Sequence, residues 1–396
     1  MTERLYYVDA YLKRFAARVT GRAEQGHRVY LDRSAFYPAS GGQPCDHGSL
    51  GGVPVVDVMD DGDHVAHVLA APLAADVVDG EVDWSRRFDH MQQHTGQHLL
   101  SAVFADLLGH NTASVHFGPD SSTLDLSTAV VRAQDVVAAE QRANVLVTEN
   151  RPVTVTFEAA DAATGLRKAS ERQGTLRVVT IAGLDRSACG GTHVRATGEI
   201  GPILLRRQEN MKGQARIEFL CGARAVHRAR ADYAVLSAMA ASSSASIDEL
   251  ATIVAAQSQQ LKTAEGARRK LEAEVASYRV REAWERTAPD AQGVRWIMER
   301  HSTGRADDVR AVAIAAATLE RTVYAARFDE ARSLILAASP DSGVDAGQQL
   351  KAALAAVNGK GGGSPRLAQG SAPDAESLQA AWAALGFSEP SARNDP

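Results

Sequence analysis

From Tyr30 to Val82 the chain alternates apolar and polar residues in short pieces, such as Val53-Pro54-Val55-Val56-Asp57-Val58 and His64-Val65-Ala66-His67-Val68-Leu69, separated by Gly, Asp and Pro. Period-two alternation broken by turn residues predicts short strands, here read as a small β-barrel. After Trp84 the period lengthens. A helix is expected from Asp89 to Leu108, ended by Gly109, and another from Ala133 to Asn150, stopped by Pro152. Strand-like alternation from Ser114 to Leu126 lies between them, and mixed α and β character continues to about Ala223.

A third pattern begins at Ile247. Positions 247, 250, 254, 257, 261, 264, 268, 271, 275 and 278 follow a 3,4 spacing, and eight of these ten are apolar. That spacing predicts a coiled-coil seam or long helical arm, roughly 48 Å at 1.5 Å per residue. Beyond Asp290, strand-like Val294-Arg295-Trp296-Ile297-Met298, Thr322 to Ala325 and Ser333 to Ala338 alternate with helical Asp307 to Leu319 and Ala346 to Val357. A Gly-rich run from Asn358 to Gly370 and a last helix near Ala375 to Leu385 follow, and the tail after Gly386 reads as loose. The expected fold class is α+β, in four parts: a β-barrel at 1–85, an α+β domain at 86–224, a helical arm at 225–289 and a C-terminal α/β domain at 290–396.

Composition narrows the function classes. There is no apolar run long enough for a membrane span and no charged-then-apolar leader, so a cytoplasmic protein without membrane contact is expected. Three cysteines, Cys45, Cys189 and Cys221, are too few and too unevenly numbered for a disulfide framework. The net charge of −5 argues against a polyanionic partner overall, yet the stretch from Arg195 to Arg230 holds eight Lys/Arg against three Asp/Glu.

Two clusters carry candidate chemistry. His90, His94 and His98 are spaced four apart, so on a helix they share one face and any adjacent pair can grip an ion. Cys189-Gly190-Gly191-Thr192-His193 sets a thiolate and an imidazole around two glycines, which suits a backbone folding tightly about a metal. Together they supply imidazole and thiolate donors in the number a tetrahedral zinc takes.

The segments His94-Thr95-Gly96-Gln97-His98-Leu99-Leu100, Cys189-Gly190-Gly191-Thr192-His193 and Thr197-Gly198-Glu199-Ile200-Gly201-Pro202 resemble the editing domain of alanyl-tRNA synthetases and its free-standing relatives, the AlaX proteins. Phe36-Tyr37-Pro38-Ala39-Ser40-Gly41-Gly42-Gln43-Pro44 is similar to that domain's Gly-rich turn, and Arg216-Ile217-Glu218-Phe219-Leu220-Cys221-Gly222 to its closing strand. Nearly the first 230 residues are covered. The C-terminal Gly-rich run resembles the terminal domain of the same synthetases, shared with DHH-type phosphodiesterases, which marks a long AlaX form.

The resemblance implies hydrolysis of serine, and sometimes glycine, from mischarged tRNA(Ala), with zinc held by His94, His98, Cys189 and His193. Because the β-unit begins almost at Met1, no aminoacylation domain is expected. Gly41, Gly42 and Gln43 are expected to donate to the developing oxyanion. Ser34, Ser40 and Thr192 are candidates for reading the serine hydroxyl. His116, in a segment closer to the free-standing forms, is expected at the pocket. Lys360, Gly361, Gly362, Gly363 and Arg366 are expected to bind tRNA phosphate through bare backbone amides and flanking cations. A homodimer through the helical arm or C-terminal domain is a further expectation. The alternatives are a deacylase for another mischarged tRNA such as Ser-tRNA(Thr), because threonyl-tRNA synthetases carry a related ligand pattern, and a non-catalytic zinc-containing tRNA-binding protein.

Overall fold

The computed structural model describes residues 1–171 and 173–387. The chain divides into two compact units, Met1–Ser244 and the part from Ala245 onward. The first opens with strands β1 (Glu3–Arg4), β2 (Arg14–Ala23), β3 (Arg28–Leu31), β4 (Arg33–Ser34), β5 (Gly48–Leu50), β6 (Val53–Asp61), β7 (His64–Leu69) and β8 (Val77–Val82). β1 and β4 form a short parallel pair, while the other six close on themselves in the order β2-β3-β7-β6-β5-β8. Val29, Leu31, Leu50, Val55, Val58, Val65 and Leu69 fill the interior, as the alternation along these strands requires.

Helix α1 (Trp84–Leu108) starts earlier than its apolar periodicity suggests because Asp83 caps it, accepting from the Arg86 N–H at 3.2 Å. It ends as expected at Gly109, whose φ of 68° is the left-handed conformation that closes helices. Nearly every residue from His90 to Phe104 is buried, so α1 is enclosed rather than amphipathic. Its interior Gly96 has a packing reason: a Cβ there would fall 2.3 Å from Cys221 Sγ.

Around α1 stand β9 (Thr112–Phe117), β10 (Ser122–Leu126), α2 (Ala133–Thr148), β11 (Val153–Ala159), β12 (Thr175–Ile181), β13 (Asp185–Ala188), β14 (Ile203–Met211) and β15 (Gln214–Cys221). They make two antiparallel sheets, ordered β14-β15-β10-β9 and β11-β12-β13. Leu99, Leu100, Val103 and Phe104 of α1 share one core with Leu146 of α2, Val179 and Ile181 of β12, and Ile217 and Phe219 of β15. Helix α3 (Ala223–Ser242) follows.

A buried ion pair fastens α1 to the barrel. Arg87 Nε donates to Asp46 Oδ1 at 2.9 Å, Nη1 to the Ala10 carbonyl at 2.8 Å and Nη2 to the Ala35 carbonyl at 2.5 Å, and both charged side chains are 0% exposed. Asp46 Oδ2 also accepts from the Tyr37 N–H at 2.6 Å. Nε, Nη1 and Nη2 of Arg87 each donate, so the buried charge is both paired and hydrogen-bonded.

The second unit begins with α4 (Leu250–Arg286), a helix of 37 residues, or roughly 55 Å. Only Leu250, Ala276 and Val280 are buried, while Val254, Leu261, Leu271, Val275 and Tyr278 of the apolar spacing remain exposed. Next come β16 (Arg295–His301), α5 (Arg310–Ala316), β17 (Thr322–Phe328), β18 (Ser333–Ala338), α6 (Ala346–Ala355), β19 (Lys360–Ser364), β20 (Leu367–Ser371) and α7 (Ala375–Ala384). The sheet order is β16-β17-β18-β20-β19. Tyr324, Ala326 and Phe328 pack with α4 and α5, whereas Val323 and Ala325 pack with α6 and α7, so β17 is buried on both faces. The overall class is mixed α+β, with seven α-helices among the described residues. The expectation for the tail beyond Gly386 falls, apart from Phe387, outside those residues.

Asp46→Ala leaves the Arg87 charge buried and unpaired, and is expected to cost about 3–5 kcal/mol in urea unfolding. Replacing both partners with Ala and Met is expected to recover part of that loss.

Candidate metal centre

Four donors from distant segments meet. The ligand atoms of His94 and His98 on α1, and of Cys189 and His193 after β13, all lie within 4.8 Å of one another. Cys189 Sγ is 3.4 Å from His94 Nε2 and 3.3 Å from His193 Nε2. Zinc bonds of about 2.0 Å to nitrogen and 2.3 Å to sulfur imply tetrahedral N···S separations of roughly 3.6 Å, so the donor set fits such an ion. His90, one turn earlier on α1, stays outside the group; it is buried, with Nδ1 unpartnered among the described residues.

Each imidazole is fixed by a partner on its other nitrogen. His94 Nδ1 donates to Gln43 Oε1 at 2.7 Å, His98 Nδ1 to Asp185 Oδ2 at 2.9 Å, and His193 Nδ1 to Thr95 Oγ1 at 3.2 Å. With Nδ1 protonated and engaged, Nε2 is the lone-pair nitrogen, and it is Nε2 that faces Cys189 in both His94 and His193. The partners are themselves held. Gln43 Nε2 donates to Thr192 Oγ1 at 2.8 Å, Gln43 Oε1 also accepts from the Thr192 N–H at 3.1 Å, and Asp185 Oδ1 accepts from Arg167 Nε at 2.6 Å.

Electrostatics favours a thiolate. Burial opposes ionisation of Cys189, but His94 and His193 outweigh it and hold the thiol well below its usual value. Burial likewise opposes a charged His98, yet hydrogen bonds with Asp185 and Cys189 raise its pKa to about 9. Burial, with His94 beside it, pushes His193 down to about 3.

Several expected roles change. Gln43 is 2% exposed and its amide is committed on both ends, so it orients His94 and is not a free oxyanion donor. Thr192 is fully buried and serves to lock Gln43. Gly41 and Gly42 form the tip of a two-residue turn closed between Ser40 and Gln43, with φ of 58° and 86° at the two positions, which glycine adopts without strain. Their N–H groups make no hydrogen bond among the described residues, and both residues are exposed. Gly191 is required by space rather than by φ, because a Cβ would lie 2.2 Å from His94 Cε1.

His116 is exposed on β9, whereas its neighbour Phe117 is buried with its ring 5.2 Å from that of His94. Strand alternation thus turns His116 away from the centre. Ser34 lies in the barrel core, 0% exposed and 2.7 Å from His67 Nε2, out of reach of a substrate. Ser40 is exposed, and its Oγ has no partner among the described residues.

The expected phosphate loop is an edge hairpin. Gly361, Gly362 and Gly363 are in β19, paired with Gly370, Gln369 and Ala368 of β20. A Cβ at Gly361 would meet Leu354 Cδ1 at 2.5 Å, and one at Gly363 the Leu367 carbonyl at 2.2 Å, so close packing explains both glycines. Lys360 and Arg366 are exposed at this hairpin. The basic stretch is also less cationic than its composition: Arg216 pairs with Asp125, Arg224 with Asp89, and Arg228 with Asp232.

Sequence reasoning missed Asp185, Thr95 and Arg167. The period of two was a usable signal, because Asp185, Ser187 and Cys189 alternate along and just past β13.

Residues 176–218, which include Cys189 and His193, match the family described as the threonyl and alanyl tRNA synthetase second additional domain, and residues 294–386 match the DHHA1 domain. The chain is similar to alanyl-tRNA editing protein Aarsd1-B of Xenopus laevis, 37% identical over 206 residues, 50% of each chain. It is also similar to alanyl-tRNA editing protein AlaX-L of Pyrococcus horikoshii, 33% identical over 58% of this chain and 60% of that one. Alanine–tRNA ligase of Korarchaeum cryptofilum is 32% identical over 94% of this chain and 43% of its own length. The chain spans about half the length of the first curated relatives it matches. No helix among the described residues is long and apolar enough to cross a membrane.

Asp185→Ala removes no metal donor but releases His98, and is expected to weaken zinc affinity 10–100-fold in chelator competition. Unchanged affinity would show that the carboxylate does not orient the ligand.

Proposed function

We propose, from its likeness to the AlaX-type alanyl-tRNA editing proteins, that this chain is a trans-editing deacylase hydrolysing Ser-tRNA(Ala), and Gly-tRNA(Ala) as a second substrate. The observation that carries the reading is the four-donor centre with every imidazole held through Nδ1. Zinc is the ion this donor set suits, held by His94, His98, Cys189 and His193, and it supplies a fixed positive charge that orients the aminoacyl group.

The residues limit the chemistry. An aminoacyl ester is already activated, so hydrolysis needs a placed water and a stabilised oxyanion, with no covalent nucleophile. None of the three ligand histidines has a free nitrogen to act as general base, since Nδ1 of each is donating to Gln43, Asp185 or Thr95. The open N–H groups of Gly41 and Gly42 are the donors for the oxyanion. Ser40, at the base of the same turn with its hydroxyl unengaged, reads the serine hydroxyl; a site built for that contact disfavours alanine, which lacks the group.

The four-part division at 1–85, 86–224, 225–289 and 290–396 fits this reading, with deacylation in the first two parts. The exposed Lys360 and Arg366 then contact tRNA backbone through side chains, beside Gly361, Gly362 and Gly363 in their edge strand. The exposed apolar row of α4 is the contact for a second copy of the chain. A cytoplasmic location follows from a tRNA substrate.

The test is ester loss from seryl-, glycyl-, alanyl- and threonyl-tRNA. Serine is expected to leave tRNA(Ala) at least tenfold faster than alanine does, with release abolished by Cys189→Ala. Release from tRNA(Thr) instead would redirect the substrate, and release from none would leave a zinc-containing tRNA-binding protein.

A further inference from the structure

The metal centre is enclosed unevenly. His94, His98 and His193 are buried, whereas Cys189 is half-buried, as is the adjoining Gly190. A ligand reaching the donors therefore enters beside Cys189. Arg177, from β12, lies beside Cys189 on that side. Its Nη1 donates to the Cys189 carbonyl at 2.7 Å and its Nε to the Tyr7 carbonyl at 3.1 Å, with its guanidinium carbon 5.6 Å from the Tyr7 ring centroid. The guanidinium is thus fixed in place by two neutral acceptors.

Neither acceptor is a carboxylate. Arg4, on the same Tyr7 ring, is neutralised by Asp60 through bonds of 3.0 and 2.6 Å. Arg87, Arg167, Arg216 and Arg224 likewise each pair with an aspartate. Arg177 is half-buried and has no carboxylate partner among the described residues; the anionic group near it is the Cys189 thiolate, whose charge a bound metal ion would take up. Its Nη2 makes no hydrogen bond among those residues. An anchored, partly dehydrated guanidinium with a free N–H edge is suited to an oxyanion of the ligand.

The ligand's chemistry identifies that oxyanion. In an aminoacyl ester the amino acid's carboxylate is consumed in the bond, so the nearest anion is the phosphate attached to the same nucleotide, one ribose away. We infer that Arg177 binds the phosphate on the 5′ side of the terminal adenosine while that nucleotide's acyl ester lies at the metal centre. This rests on the deacylase reading and adds to it a contact that selects nucleotide-linked esters over small ones. Arg177 is a binding residue here, distinct from the groups that orient the histidines.

A binding cycle tests it without relying on turnover. The probe is an RNA hairpin ending in CCA, made with either a normal phosphate or a neutral methylphosphonate at the last linkage, and titrated into zinc-loaded protein. Removing that charge is expected to weaken binding to the wild type about tenfold, the scale of a hydrogen bond to a charged group, and to change binding to Arg177→Gln less than twofold. Arg177→Lys, which keeps the charge, is expected to retain part of the difference. Equal losses in wild type and Arg177→Gln at matched zinc content, or no loss in the wild type, would overturn the phosphate contact. Ester hydrolysis by the same preparations separates the two claims: coupling without hydrolysis removes the deacylase and leaves the contact, and hydrolysis without coupling does the reverse.

Discussion

Three hydrogen bonds to three imidazole Nδ1 atoms hold the structure's chemistry in place. Without them His94, His98 and His193 would each choose between two tautomers and several ring orientations, and the chance of three Nε2 atoms facing one point would be small. The bonds come from Gln43 in the turn between β4 and β5, Thr95 on α1 and Asp185 on β13, so the centre records the mutual placement of three pieces of the first unit. The buried Arg87–Asp46 pair has the same effect at larger scale, because Asp46 follows the Gly-rich turn and Arg87 precedes the ligand histidines on α1. Fixing one fixes the distance over which Gln43 must reach.

Much of the fold was legible because its periods are clean. Gly109 and the Pro152 region end α1 and α2 close to where their turn chemistry places them, and the apolar row from Leu250 onward lies on one long helix. The start of α1 was less legible, since Asp83 caps it ahead of any apolar repeat. The hairpin of β19 and β20 was hidden by its composition. Glycine is a poor strand former, and only the closeness of Leu354 and the facing Gly370 explains why strands there contain so many.

The candidate metal donors were legible through the family resemblance, since the four-residue spacing of His90, His94 and His98 left the pair open. What surrounds them was not. Gln43 read as a catalytic donor because its turn is polar and Gly-rich, and only the fold reveals that both ends of its amide are consumed by His94 and Thr192. His116 and Phe117 differ by one position, so a strand's alternation decides which faces the site, and Phe117 does. The basic stretch from Arg195 misled in another way: composition counts charges, while pairing with Asp89, Asp125 and Asp232 cancels three of them, and Arg177, a cation beside the donors with no carboxylate partner among the described residues, lies outside that stretch.

The proposed centre depends on one ion being shared by two distant segments. X-ray absorption at the zinc edge of the loaded protein reads this directly. A shell of three nitrogens near 2.0 Å and one sulfur near 2.3 Å, with the sulfur lost in Cys189→Ala, is the expected result. A shell without sulfur, or one unchanged by that substitution, would contradict it.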